Sequence, residues 1–118
     1  MGDLVDDVLG GVHRAAEHDD PSHICTALKA LKDDFSSSEY KNPEDYFANK
    51  GLGPASADVI MYRKIDKHEY LAVNLSNARI DKNKARSLVD RIGAVSVQYP
   101  EEVYLTDSER LIVGISVD

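Results

Sequence analysis

At 118 residues, with 42% apolar and 30% charged side chains, the chain has the length and balance of one folded globular domain rather than a disordered segment. It has no apolar run near the roughly 18 residues of a membrane span, its acidic start MGDLVDDVLGG lacks the basic region of a secretory signal, and its single Cys25 can close no internal disulfide; together these predict a cytoplasmic protein with no membrane association. The formal net charge of −7 is uneven: residues 1–50 hold 11 acids and 5 bases (−6), and residues 51–118 hold 10 acids and 9 bases (−1), so the N-terminal half repels a polyanion and attracts a basic partner.

The first predicted element is a helix over 3–17. Asp3 caps it, Asp6 and Asp7 suit its positive end, and Leu4, Val5, Val8, Leu9 and Val12 form one apolar stripe. Gly10 and Gly11 interrupt its middle and mark a kink or a close helix crossing. Asp20-Pro21 opens a second helix, an N-cap followed by proline at the first helical position. In it Ile24, Ala27, Leu28, Leu31 and Phe35 recur at core-facing spacing, and Ser36-Ser37-Ser38 ends it. Asn42-Pro43-Glu44-Asp45 repeats the start signal for a short third helix with Tyr46 and Phe47 as its apolar members, stopped by Gly51 and Gly53.

The pattern then turns to β. Residues 59–62 and 70–73 flank the polar stretch Asp66-Lys67-His68-Glu69 and predict an antiparallel hairpin. Asp81 caps a further helix with Ala85, Leu88, Val89 and Ile92 on one face, closed by Gly93. Val95, Val97 and Tyr99 alternate and predict a strand over 94–99; Val103-Tyr104-Leu105 and 110–117 are two more. Helices first and strands after give the α+β class: one domain over 1–118, its N-terminal helices followed by a mainly antiparallel sheet with one further helix packed on it.

The stretch Gly51-Leu52-Gly53-Pro54-Ala55-Ser56-Ala57-Asp58-Val59-Ile60 resembles the hairpin of the helix-hairpin-helix family at Gly51, Leu52, Gly53, Ala57 and Ile60. The resemblance implies a turn between two helices whose backbone N–H groups, at Gly51, Leu52 and Gly53, hold a nucleic-acid phosphate. Ala55 stands where the family's glycosylase branch has its lysine, so that chemistry is not implied. The same glycines also suit a plain helix-to-strand loop, which is the reading preferred here.

Other chemistry-bearing residues are scattered. His18, Asp19, Asp20 and His23 are metal-ligand types, but Asp20 is needed as a cap and the segment reads as a solvated loop, so no metal and no cofactor are expected. Cys25 lies beside an apolar stripe and reads as a structural thiol. Arg79, Lys82, Lys84, Arg86 and Arg91 are interrupted by Asp81 and Asp90 and read as a solvated helix face. No nucleophile, phosphate-loop or zinc motif is present, and no catalytic residue is assigned.

The leading expectation is therefore a small acidic protein-binding module, comparable in profile to inhibitors and to immunity or antitoxin proteins that neutralise a basic partner. Asp33, Asp34, Glu39, Glu44 and Asp45 are its expected steering residues, with Asp6, Asp7 and Asp19 adding to the field, and Tyr40 and Tyr46 are its expected exposed anchors. The alternatives are a nucleic-acid-associated protein using the Gly51–Gly53 turn, and a small enzyme whose site is assembled from dispersed residues. The charge predicts no appreciable binding to duplex DNA at physiological salt, because −7 opposes the counterion-release term that drives such binding. An anisotropy titration should stay flat to about 10 μM. Micromolar or tighter binding would promote the glycine turn, and Gly53→Val should then abolish it.

Overall fold

The structure, a computed structural model, describes residues 4–50, 59–96 and 104–118. It contains α1 (Leu4–His18), α2 (Ser22–Ser37), α3 (Pro43–Asn49), β1 (Ile60–Ile65), β2 (His68–Asn74), a 3-10 turn (Leu75–Asn77), α4 (Lys82–Ser96), β3 (Tyr104–Asp107) and β4 (Ile112–Ser116). This is the α+β order expected from the chain. The starts of α2, α3 and α4 carry the side-chain bonds their sequence signals imply, while Asp3, the expected cap of α1, lies outside the described residues. Asp20 Oδ1 accepts the Ser22 N–H at 3.0 Å, Asn42 Oδ1 accepts the Asp45 N–H at 2.9 Å, and Asp81 Oδ1 accepts the Lys84 N–H at 3.0 Å. Among the described residues, no helix is long and apolar enough to cross a membrane.

The four strands form one antiparallel sheet in the order β1-β2-β4-β3. Two hairpins, β1–β2 and β3–β4, are joined edge to edge by five residue pairs running from Tyr70↔Ser116 to Asn74↔Ile112. The first hairpin turns on Asp66 and Lys67, both at positive φ (51° and 75°), the pattern of a two-residue primed turn. At the centre of the sheet, a Cβ on Gly114 would lie 3.1 Å from the Ala72 Cβ and 3.2 Å from the Leu71 carbonyl, so these strands meet where only glycine fits without adjustment.

The residues of one sheet face, Ile60, Leu71, Val73, Val113 and Ile115, join a single core with Val8, Val12, Ile24, Leu28, Leu31, Phe35, Ala85, Leu88, Val89 and Ile92 from the helices. The expected core residues Leu28, Leu88 and Ile92 are 0% exposed and Leu31 is 1%. Gly11 marks a close crossing rather than a kink. A Cβ there would stand 2.6 Å from the Ala27 Cβ and 3.3 Å from the His23 carbonyl oxygen, so α1 and α2 touch nearly backbone to backbone.

Two expectations are corrected. The strand expected over 94–99 is not one at its start: 94–96 are the last residues of α4, and 97–99 lie outside the described residues. Val95 continues the stripe of Leu88 and Ile92 at helical spacing and packs against the core, which outweighs its alternation with the residues after it. Gly93 accordingly sits inside the helix, exposed, with nothing near the side chain it lacks. The second correction concerns the glycine turn: Ile60–Ile65 pairs with β2 as a strand, so the second helix that the helix-hairpin-helix resemblance implies is not formed there.

Leu88→Ala should cost about 2–5 kcal/mol of stability through the cavity it leaves. Gly11→Ala should cost about 1–3 kcal/mol despite the better helix propensity of alanine, because the added methyl forces the two helices apart. Urea denaturation measures both. A change under about 0.5 kcal/mol at either position would mean that the packing described is wrong.

Candidate functional site

The expected partner-binding residues fall near the end of α2, the loop after it and α3. Asp33, Glu39, Glu44 and Asp45 are exposed. Glu44 and Asp45 occupy the first turn of α3, where the helix dipole favours carboxylates. Asp45 Oδ2 also accepts the Asn42 side-chain amide at 3.0 Å.

Asp34 and Tyr46 meet, but not as a steering charge beside an exposed anchor. Tyr46 is 0% exposed. Its hydroxyl donates to Asp34 Oδ2, its ring receives Phe35 edge-on at 5.3 Å, and Lys50 Nζ stands 3.6 Å from the same Asp34 oxygen and 5.7 Å over the ring. Burial, then the hydrogen bond to Asp34, holds the phenol well above its ordinary pKa, so it stays neutral. Tyr46 is thus a strut tying α3 to α2, and the exposed ring expected there is absent. Its place in the apolar stripe of a short helix, 12 residues from Asp34, gave no sign of this bond. Tyr40 is half-buried and packs against the core.

A groove runs between the open ends of the antiparallel pair α1 and α2, with a volume of about 450 Å³. Its floor is Val8, Ala27 and Leu31, and its rim carries Asp6 and Asp7 from α1 and Asp34 from α2. Sequence reading did not find it, because it exists only once Gly11 has brought the helices together. One signal was present. Gly10 lines the groove, and a Cβ there would meet only the Arg14 Nη1 at 3.4 Å. Packing therefore does not require Gly10, although glycine inside a helix costs about 0.5–1 kcal/mol relative to alanine.

Of the remaining candidates, Arg86, Arg91, Asp19 and Asp20 are engaged in structural contacts. Arg91 donates to the Asp19 carbonyl oxygen at 3.2 Å and to its carboxylate at 2.7 Å, clasping the α1–α2 loop to α4, while Arg86 donates to the Ser108 carbonyl oxygen at 3.2 Å. Arg79, Lys82 and Lys84 are exposed. The rings of His18 and His23 lie 5.6 Å apart, but Asp19 is turned to Arg91 and Asp20 to the Ser22 N–H, whose hydrogen bond keeps the Asp20 carboxyl below its usual range. Among the described residues, no three His, Cys, Asp or Glu side chains converge as a metal site. Gly51, Leu52 and Gly53, the phosphate-binding expectation, lie outside the described residues. No protein family, curated protein or solved structure matches this chain.

Cys25 is 1% exposed, and burial pushes its thiol up to about 11, an effect only partly offset by the neighbouring Tyr104 side chain. Against an ordinary thiol, this alone lowers the thiolate fraction near neutrality about 100-fold. An aromatic disulfide reagent at pH 7.5 should therefore react with the native protein at least about 100-fold more slowly than with the protein in guanidinium. Equal rates would show that the thiol is not enclosed as described. The raised value also sets a direction: the folded state holds this proton more tightly, so the stability Cys25 contributes is full below about pH 9 and is lost as pH rises through about 11.

Proposed function

We propose that this chain is a small acidic protein-binding module, of the inhibitor or immunity and antitoxin kind, that captures a basic protein. The observation that carries the reading is the exposure of Asp6, Asp7, Asp33, Glu39, Glu44 and Asp45 on the three N-terminal helices and the α2–α3 loop, on the half of the chain that holds −6 of the −7 net charge. Asp34 is the exception, since it is bound to Tyr46 and Lys50.

Exposed charges of one sign act before contact. They raise the local concentration of an oppositely charged surface and orient it, which speeds encounter more than it slows release. Affinity then rests on contacts made at short range. With Tyr46 inside the core, Tyr40 at the α2–α3 junction is the remaining aromatic anchor of the original pair. The exposed acids before and after it in the chain, Asp33, Glu39, Glu44 and Asp45, are suited to a lysine- or arginine-rich surface.

Cross-linking in the native host, read by mass spectrometry, should return a basic protein linked through α1–α3. Its association rate, followed by stopped flow, should fall at least about tenfold between 20 and 300 mM salt, because exposed charges are screened over roughly 10 Å at 0.1 M. The combined substitution Asp33→Asn, Glu39→Gln, Glu44→Gln, Asp45→Asn should slow association more than it speeds dissociation. Asp34 is left in place because its loss would loosen α3 from α2. A partner whose association rate ignores both salt and these substitutions would refute the steering mechanism.

A further inference from the structure

We infer that the groove between the open ends of α1 and α2 is a socket for one arginine side chain of the basic partner; this rests on the protein-binding reading above. The shape comes first. At about 450 Å³ the groove lies within the roughly 300–1,000 Å³ range of clefts that take small ligands. Val8 and Leu31, 2% and 1% exposed, give it an apolar floor on which an aliphatic stem can lie. Gly10, Thr26 and Ala30 keep its shoulders low. Gly10 matters most, because it lines the groove and the crossing that demands Gly11 makes no such demand one residue earlier; a Cβ there would meet only the Arg14 Nη1, at 3.4 Å.

The chemistry follows from the rim. Because α1 and α2 are antiparallel, Asp6 and Asp7 near the start of one face Asp34 near the end of the other across the same opening. A flat guanidinium has donors on several edges and can bridge carboxylates on opposite walls, whereas an ammonium acts as a single point charge. The negative end of the α2 dipole is offset at this opening by the positive end of α1, so the attraction rests on the carboxylates themselves. Tyr46 and Lys50 both engage Asp34 through Oδ2, which fixes this carboxylate in position at the groove. The protein's own Arg14 also lines the groove, with its Nη1 3.4 Å from the Gly10 Cβ position, so an incoming guanidinium enters from the end bounded by Asp34 and must sit beside this side chain or displace it.

Three blocked amino acids test this directly: N-acetyl-arginine methylamide, its lysine counterpart and its citrulline counterpart, which keeps the shape of arginine without the charge. Titration of the full chain by amide NMR should show arginine binding in the millimolar range, with shifts centred on Gly10, Thr26 and Ala30. Lysine should bind about tenfold more weakly, and citrulline should not bind measurably. Gly10→Leu fills the socket without changing charge and should lower arginine affinity at least about tenfold, and Ala30→Leu closes it from the other helix with the same effect. Melting curves on both variants establish that they are folded. Equal binding of arginine and lysine, shifts spread over every acidic residue, or binding indifferent to both leucine variants would each overturn the socket. None of these outcomes touches the steering test above, since the socket variants keep every acid. Conversely, a salt-independent partner would remove the steering reading while leaving the arginine titration to stand or fall alone.

Discussion

The approach of α1 to α2 at Gly11 and Ala27 is the contact on which the N-terminal half depends. With a methyl 2.6 Å from the Ala27 Cβ, the helices would have to separate, and the packing of Val8, Val12, Leu28 and Leu31 would loosen. The same approach fixes which residues lie opposite each other at the open end of the pair. Asp6 and Asp7 come to face Asp34 because the helices run antiparallel with their point of closest contact near Gly11. One missing side chain therefore determines both the packing below and the shape of the surface above.

The acids of this surface are not equivalent once folded. Asp34 lies one residue from Asp33 in the chain, yet one is exposed and the other is gripped by a buried phenol and an ammonium. That grip couples two jobs. It seats α3 on α2, and it holds a carboxylate rigid at the edge of the groove, where a freely rotating side chain would lose entropy on engaging anything. Charge at Asp33, Glu39, Glu44 and Asp45 is instead suited to action at a distance, where exact placement matters little.

Much of the fold was legible because its signals are local. Asp20, Asn42 and Asp81 cap as their positions next to apolar stripes imply, and the spacing of Leu28, Leu31, Leu88 and Ile92 foretells their burial. The failures arise where two periodicities overlap or where partners are remote. Val95 belongs to a helical stripe and to an alternating one at once, and the core decided between them. Tyr46 looks like any tyrosine on a short helix until Asp34 is seen across from it. The candidate site was legible as composition, in the excess of acids before residue 51, but its groove was not, because a groove is a relation between two helices and appears in neither alone. Gly10 was the one local trace of it.

The sheet has a consequence of a different kind. Its two hairpins are each closed by short turns, but they are joined only along the line where β2 meets β4, at the narrow place fixed by Gly114 and Ala72. Residues on the two sides of that line are separated in the chain by the whole of α4. Each ribbon can fray from its own tip without disturbing the other, whereas parting the central line uncovers both at once and strips α2, which packs on both β2 and β4, of its floor. Amide protons along that line should therefore share the slowest exchange in the molecule, and the tip at Asp66 and Lys67 the fastest of the sheet, giving one fold two clocks.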